Sequence, residues 1–433
     1  MLKTRPKLLF LAYDFPPARA TACVRTWNLA KYLTRLGWDV TVVTPHPSVW
    51  RYIDNPDKTD AALKREGILR ILTDHRWRCL SPDHLNTSNG RLGWLAGGVC
   101  RQIARQIGVD NKIGWIQPAE QAYSSLTAGD VDIILASGPP FVVFRLAKRL
   151  SDRLGRPYVL DYRDPWTGNP HASRPIHTAT VKEEAKILAD SAAVTIVSAS
   201  WGSAMNHRFN LGSKLNVVTN GYDPEELVNV KPYDFGHFAI VYAGTFYPPK
   251  RVISPVMAAL KRLPQSTNGI SGEVFFHYYG SHESHVLEEA RKFGVMEKVV
   301  VHGNVPRSEA LSAVRGAGVA VVITSVTKNA GVEDKGIVTG KVFEALGLGT
   351  PILLIAPHGS DAEATIKETG NLGVFTGNDI DGLVSFLSKV RFGRIPRPKN
   401  TRAYAWTNIA KRFDAVLRLA MSGTIYEKRE VSL

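Results

Sequence analysis

Residues 7–44 read KLLFLAYDFPPARATACVRTWNLAKYLTRLGWDVTVVT, and the fold is decided there. Lys7 to Tyr13 is an apolar run of strand length. Val24 to Leu36 spaces its apolar residues as a helix does, and Asp39 to Thr44 is apolar again. Strand, helix, strand without a hairpin turn is the grammar of a parallel sheet. The apolar run of Leu8 to Ala12 is shorter than the roughly 7–15 residues of a signal-peptide core, and Asp14 follows it closely. It therefore reads as a buried first strand.

The same grammar continues outward. Asp132 to Ala136 and Tyr158 to Asp161 are further strands, with a helix over Arg145 to Arg153 between them. It restarts near residue 236. Ala239 to Ala243, Val274 to Tyr279, Lys298 to His302, Val319 to Thr324 and Pro351 to Ile355 are strands separated by helical segments. The expected class is α/β, with two Rossmann-like, doubly wound parallel-sheet domains facing a cleft. The polar, Pro- and Gly-punctuated stretch from Tyr222 to Gly236 marks the boundary. We expect a first domain over 1–230 and a second over 231–395. A basic, Pro-rich linker over Arg391 to Asn400 leads into a helical pattern from Thr401 to Ala420, and 396–433 is set apart as a C-terminal helical segment.

At 433 residues the chain exceeds what one hydrophobic core sustains. Its 3 cysteines form no CxxC pair, which argues against a disulfide framework or structural zinc and suits a reducing compartment. The net charge of +15 calls for an anionic partner. The basic residues are dispersed, and no nucleic-acid-binding motif accompanies them, so nucleotide phosphates or an acidic membrane surface fit better than nucleic acid. No stretch approaches the ~18–20 apolar residues of a spanning helix.

In doubly wound sheets ligands bind at the carboxyl ends of strands. The loop from Tyr13 to Arg25 follows the first strand, and Arg19 and Arg25 add charge there. Asp161-Tyr162-Arg163-Asp164-Pro165-Trp166 ends another strand, where carboxylates accept from hydroxyls and an indole stacks on a sugar face. Gly244-Thr245 ends the first strand of the second half, and Lys250-Arg251 then sets two cations ahead of a helix. Gly340-Lys341 opens a helix with Glu344 three residues on, so phosphate and ribose can be shared between Lys341 and Glu344. The Asp130-Val131-Asp132 triplet precedes a strand rather than following one and reads as solvated acids. The 12 histidines show no metal-ligand spacing.

Taken in order, these residues resemble the retaining glycosyltransferases of family four, with the GT-B fold. The carriers are Phe15-Pro16-Pro17 with Val24-Arg25, Arg163-Asp164-Pro165-Trp166, Asn220-Gly221-Tyr222-Asp223, and Gly340-Lys341-Val342-Phe343-Glu344 followed by Gly349-Thr350-Pro351-Ile352. The RDPW element resembles one bacterial subgroup, and Tyr404 with Trp406 resembles the family's returning C-terminal helix. The sequence departs from the wider family at Ala20-Thr21 in place of paired glycines and at Gly336 in place of the first of two glutamates. Ser137-Gly138-Pro139-Pro140 stands where many members carry a histidine.

The resemblance implies transfer of a sugar, with retention, from a nucleotide diphosphate sugar to a hydroxyl acceptor in cell-surface polysaccharide or glycolipid synthesis. Lys250, Arg251 and Lys341 would carry the leaving diphosphate. Gly244, Thr245, Gly340, Glu344 and Arg25 would bind the donor, and Asp161, Arg163, Asp164 and Trp166 would shape the acceptor side. It implies no metal and no cofactor beyond the donor. The partners would be that donor, a sugar or lipid-linked acceptor and an anionic membrane surface, in the cytoplasm at the inner face of the membrane. For membrane contact the candidate is Arg91 to Ile107. Leu95, Val99, Ile103 and Ile107 recur there every four residues beside Trp94, Arg91, Arg101 and Arg105, and Lys112 and Trp115 follow. The competing classes are a GT-B sugar-nucleotide epimerase and a non-catalytic basic binding protein.

Overall fold

The computed structural model describes the chain except residues 1–4, 82, 84–90, 107–109, 170–176, 264–265, 268–269, 272, 329, 371–372, 394, 396 and 424–433. Two compact units result. One comprises Met1–Val197, Gly202–Val218 and Ala410–Leu433, and the other Ser198–Trp201 and Thr219–Ile409.

The first unit is a seven-stranded parallel sheet in the order β3-β2-β1-β4-β5-β6-β7. Its strands are β1 (Lys7–Leu11), β2 (Asp39–Pro45), β3 (Leu69–Thr73), β4 (Ile133–Gly138), β5 (Tyr158–Tyr162), β6 (Ala193–Ile196) and β7 (Leu215–Val217). Leu8 pairs with Val40 on one side and with Ile133 on the other, so β1 is central. Its side chains from Leu8 to Leu11 are buried, as a strand covered on both faces requires. The helices Cys23–Arg35 and Val142–Leu154 follow β1 and β4. The C-terminal helix Trp406–Ser422 adds its later turns to this unit, where Trp38 Nε1 donates to Asp414 at 2.6 Å and Arg418 lies over the Trp38 ring.

The second unit repeats the winding over six strands, in the order β12-β11-β8-β13-β14-β15. These are β8 (Phe238–Ala243), β11 (Val274–Tyr279), β12 (Val299–Val301), β13 (Val319–Ile323), β14 (Ile352–Ile355) and β15 (Val374–Phe375). A short antiparallel pair, β9 (Ser266–Thr267) and β10 (Ile270–Ser271), stands apart from the sheet. Along β13 the residues alternate between two cores. Val319, Val321 and Ile323 pack with Ile240 and Phe276, while Ala320 and Val322 pack with Val342 and Phe343. That is the period-two pattern of a sheet with helices on both faces.

The stretch from Tyr222 to Gly236, expected to divide the domains, lies within the second unit. Its composition is that of a linker, but its backbone is held. Tyr222 N–H donates to Tyr404 C=O at 3.0 Å and Trp406 N–H to Tyr222 C=O at 2.9 Å. A Cβ on Gly221 would collide with that Tyr404 carbonyl, so close approach of the two segments requires glycine there. Asp223 caps the following helix Pro224–Val228 through Glu225 N–H.

Candidate functional site

In the first unit the loop residues gather around β5. Asp161, at its end, is fully buried. Arg25 grips it from the helix Cys23–Arg35, Nε to Oδ2 at 2.9 Å and Nη2 to Oδ1 at 2.7 Å, and also donates to Val218 C=O. Ser137 and Thr195 each donate to it at 2.7 Å. Burial alone would raise this carboxyl, but Arg25 and the two hydroxyls outweigh it and hold Asp161 below its ordinary range. Both oxygens are engaged within the protein, which makes Arg25 and Asp161 a structural pair rather than groups turned to donor and acceptor.

Arg163 is nearly buried and reaches Asp14 at 3.1 Å, while its Nε and Nη1 have no hydrogen-bond partner among the described residues. Burial lifts the Asp164 carboxyl to about 6, with Arg163 pulling the other way. Trp166 stacks on Phe141 at 5.1 Å and 7°, and Arg145 lies 5.7 Å from its centroid. The indole is thus engaged inside the protein, contrary to the expectation of a free sugar platform. It lines the rim of a cavity of about 770 Å³ with Asp14, Trp50, Tyr52, Asp110 and Arg145. Of the acceptor-side candidates, Trp166 alone lines this cavity among the described residues. Tyr52 and Asp110 did not stand out in the sequence, because a solvated Tyr and a short polar turn carry no motif.

In the second unit the candidates converge. Gly244 follows β8 with φ +140°, and a Cβ there would strike the amine end of Lys341. Lys341 is in the first turn of the helix Gly340–Leu348. Its amine lies 5.6 Å from the Tyr242 ring centroid. Burial and then the neighbouring Arg251 guanidinium push this amine down to about 8, against the pull of Glu344. Arg251 is itself nearly buried, lies 5.1 Å from the Tyr247 ring centroid and leaves Nε without a hydrogen-bond partner among the described residues. At the helix N-terminus the Thr339 hydroxyl also has no partner among the described residues, and space is open at Gly340. Thr245 contributes its carbonyl, which accepts from the Tyr242 hydroxyl at 3.0 Å.

Two candidates are engaged elsewhere. Lys250 is paired with the buried Asp334 at 2.9 Å, a carboxylate the sequence reading passed over. Glu344 accepts from Arg307 at 2.7 Å, and Arg307 also holds Glu226. Arg251, nearly buried, and Lys341, half-buried, are two neighbouring cations, the second in the first turn of a helix and close against Gly244, an arrangement that suits an anion.

The acids of the Asp130-Val131-Asp132 triplet serve the local backbone. Asp130 closes a capping box with Thr127, and Asp132 accepts from Lys7 N–H at 2.8 Å. Of the basic amphipathic segment, a helix spans Arg91–Gln106. Val99 and Ile103 are exposed on it, while Arg101 donates to Cys79 C=O. Ile107 and the side chains of Arg91, Trp94, Leu95 and Arg105 lie outside the described residues. Lys112 and Trp115 do not belong to that surface. Both are buried, Lys112 on Ser81 and Asp83, Trp115 on Thr73.

Residues 24–226 match the Glycosyltransferase Family 4 profile. The chain carries a family four glycosyltransferase domain. Its two parallel-sheet α/β domains are like those of GT-B glycosyltransferase structures. Among solved structures it is similar to a sucrose-phosphate synthase from Thermosynechococcus elongatus, at 14% identity over 96% of this chain and 97% of that one, TM-score 0.56. HepE from Anabaena, solved with UDP and glucose, aligns at 14% identity over 96% and 98%, TM-score 0.53. WaaG, a glycosyltransferase involved in lipopolysaccharide biosynthesis, aligns at 13% over 96% and 99%, TM-score 0.51. No curated protein matches the chain by sequence. No helix among the described residues is long and apolar enough to cross a membrane.

Proposed function

We propose that this glycosyltransferase moves a sugar, with retention, from a nucleotide diphosphate sugar to a hydroxyl acceptor in polysaccharide or glycolipid synthesis, as a member of the RDPW subgroup. One observation carries the donor half. Lys341, half-buried in the first turn of a helix, and Arg251, nearly buried, are neighbouring cations, and burial followed by the Arg251 charge holds the Lys341 amine down to about 8. A diphosphate supplies that charge. It takes bonds from Lys341, from Arg251 and from the N–H groups that open the helix at Gly340, close against Gly244. Lys250 stands beside this pair as a reserve cation, tethered by Asp334. Solved structures of HepE holding UDP and UDP-glucose support a uridine nucleotide as the first donor to test.

Retention without a protein nucleophile requires that the acceptor oxygen approach the face the diphosphate leaves. The leaving phosphate then accepts the acceptor proton. The protein's work is positioning and charge stabilisation, and removing one such donor typically costs about 10²–10³ in rate. Glu344, oriented by Arg307, accepts from the ribose hydroxyls. The acceptor sits in the cavity of the first unit, beside Asp14 and Trp166. No metal or other cofactor enters this scheme, since protein cations meet the phosphate charge. A thermal-shift panel of nucleoside diphosphates and their sugars tests it. The expected result is stabilisation by one nucleoside diphosphate that disappears in Lys341→Ala, and stabilisation by none would sink the proposal.

A second reading concerns location: cytoplasmic, with the first unit resting on an anionic bilayer. The exposed Val99 and Ile103 on a basic helix favour it. Sedimentation with phosphatidylglycerol vesicles at low salt should carry the protein down, and Ile103→Glu should release it. A wild type that stays in the supernatant ends that reading.

A further inference from the structure

The cavity of the first unit has a charge pattern that narrows its ligand. Each described cation on its wall is already paired. Arg19 holds Asp54 at 2.7 Å, Lys112 holds Asp83 at 3.2 Å, and Arg145 holds Glu183 through two bonds of 2.7 Å. Asp14 is likewise held by Arg163. Asp110 differs. One of its oxygens accepts from the Lys112 backbone N–H at 2.8 Å, and no cationic side chain bonds it among the described residues. Burial lifts this carboxyl above its ordinary range, against the pull of the Lys112 N–H and the charges of Arg145 and Lys112.

The aromatic rings of the wall are equally uneven. Trp166 is stacked on Phe141, and Trp50 meets Tyr13 edge-on at 5.4 Å. Tyr52 is 63% exposed and keeps a face for a ligand. A wall that offers an acceptor-only carboxylate and an open aromatic face, with its cations already spent, suits a ring rich in hydroxyl donors and poor in charge. A phosphate or carboxylate on the ligand would meet the Asp110 carboxylate, while the lining cations Arg19, Lys112 and Arg145 are each already ion-paired.

We infer that the acceptor is recognised in this cavity as an uncharged pyranoside, stacked on Tyr52 and donating a hydroxyl to Asp110, which makes these two residues the determinants of acceptor specificity. The inference rests on the glycosyltransferase reading and adds the chemical class of its acceptor. The cavity, at about 770 Å³, accommodates more than one sugar ring, so the reacting ring can be one end of a longer neutral glycan.

The experiment is saturation-transfer NMR on the full chain with UDP present. The probes are methyl α-glucopyranoside and methyl N-acetyl-β-glucosaminide against glucuronate and glucose 6-phosphate. The neutral glycosides should take up saturation and the anionic sugars should not. Asp110→Asn, which weakens one charge-assisted hydrogen bond, and, at an exposed position that spares the fold, Tyr52→Ala, which removes the stacking face, should each weaken the signal about tenfold. Stronger uptake by the anionic sugars, an unchanged signal in both variants, or no uptake by any sugar overturns the inference. UDP affinity, read by calorimetry on the same samples, separates the failures. If UDP binds and neutral glycosides do not, the acceptor class is wrong. If UDP itself does not bind, the functional reading falls with it.

Discussion

Arg25 with Asp161 and Lys341 with Arg251 look alike in sequence, since each is a charged pair assembled from loops and helix starts next to strand ends. The first is opposite in charge and closed, every carboxylate oxygen bonded within the protein. The second is like in charge and open, with Arg251 Nε unsatisfied and Lys341 driven down to about 8. Buried charge that completes itself is architecture, whereas like charges held together are relieved only by an added anion, the role proposed for the donor diphosphate. Removing one member should therefore harm stability in the first case and binding in the second.

The largest expected effect is on the closed pair. Arg25→Ala leaves Asp161 buried and unpaired, and should cost about 3–5 kcal/mol in urea unfolding. A loss below 1 kcal/mol would erase the contrast. Next is Lys341→Ala, expected to lower turnover by about 10²–10³ with little change in melting temperature, because it relieves repulsion rather than breaking a pair. Full activity in that variant would show the open pair to be idle.

Sharper still is a pH test. Below pH 8 the free Lys341 amine is charged and ready for diphosphate, and above it the amine is neutral. A bound anion raises its pKa, so binding takes up a proton near pH 8–9. Affinity for UDP should fall as pH rises through that window, up to about tenfold per pH unit. Calorimetry in buffers of different ionisation enthalpy reads the uptake directly, and its absence would place the diphosphate elsewhere. Smaller again, Glu344→Gln should weaken nucleoside diphosphates about tenfold and leave inorganic pyrophosphate unchanged. Equal losses would return Glu344 to a purely structural bond with Arg307. Least of all, EDTA should leave turnover unaltered; loss of turnover restored by manganese would require a second source of charge at the open pair.

The central strands were legible because burial on both faces leaves continuous apolar runs, as in β1, β8 and β13. β3 and β7 were not, being edges with exposed residues such as Leu69 and Val217, and neither was the interior β6, whose buried run is only four residues long. At the sites, sequence identified residue types and order but not partners. Arg25 and Asp161 sit 136 residues apart, and nothing local announces that they spend their charge on each other. Lys112 and Trp115 looked like a membrane edge because cation and indole are the same letters whether they face lipid or are buried on Ser81 and Thr73. Asp334 went unread because its role depends on Lys250, which lies across the fold.

The clasp between Tyr222 and Tyr404–Trp406 has a genetic consequence. Apart from Ser198–Trp201, the second unit is one continuous segment, Thr219–Ile409, and two backbone hydrogen bonds hold its beginning beside its end. In effect it is an insert within the first unit, whose chain leaves near Val218 and resumes at Ala410. Segments with joined ends tolerate excision and circular permutation, because a short bridge costs little closure entropy. Cutting the gene at residue 395 would discard Tyr404, which packs on Phe343 and bonds Glu368. Cutting after residue 409 would leave the clasp intact, and the excised piece should bind nucleoside diphosphate by itself.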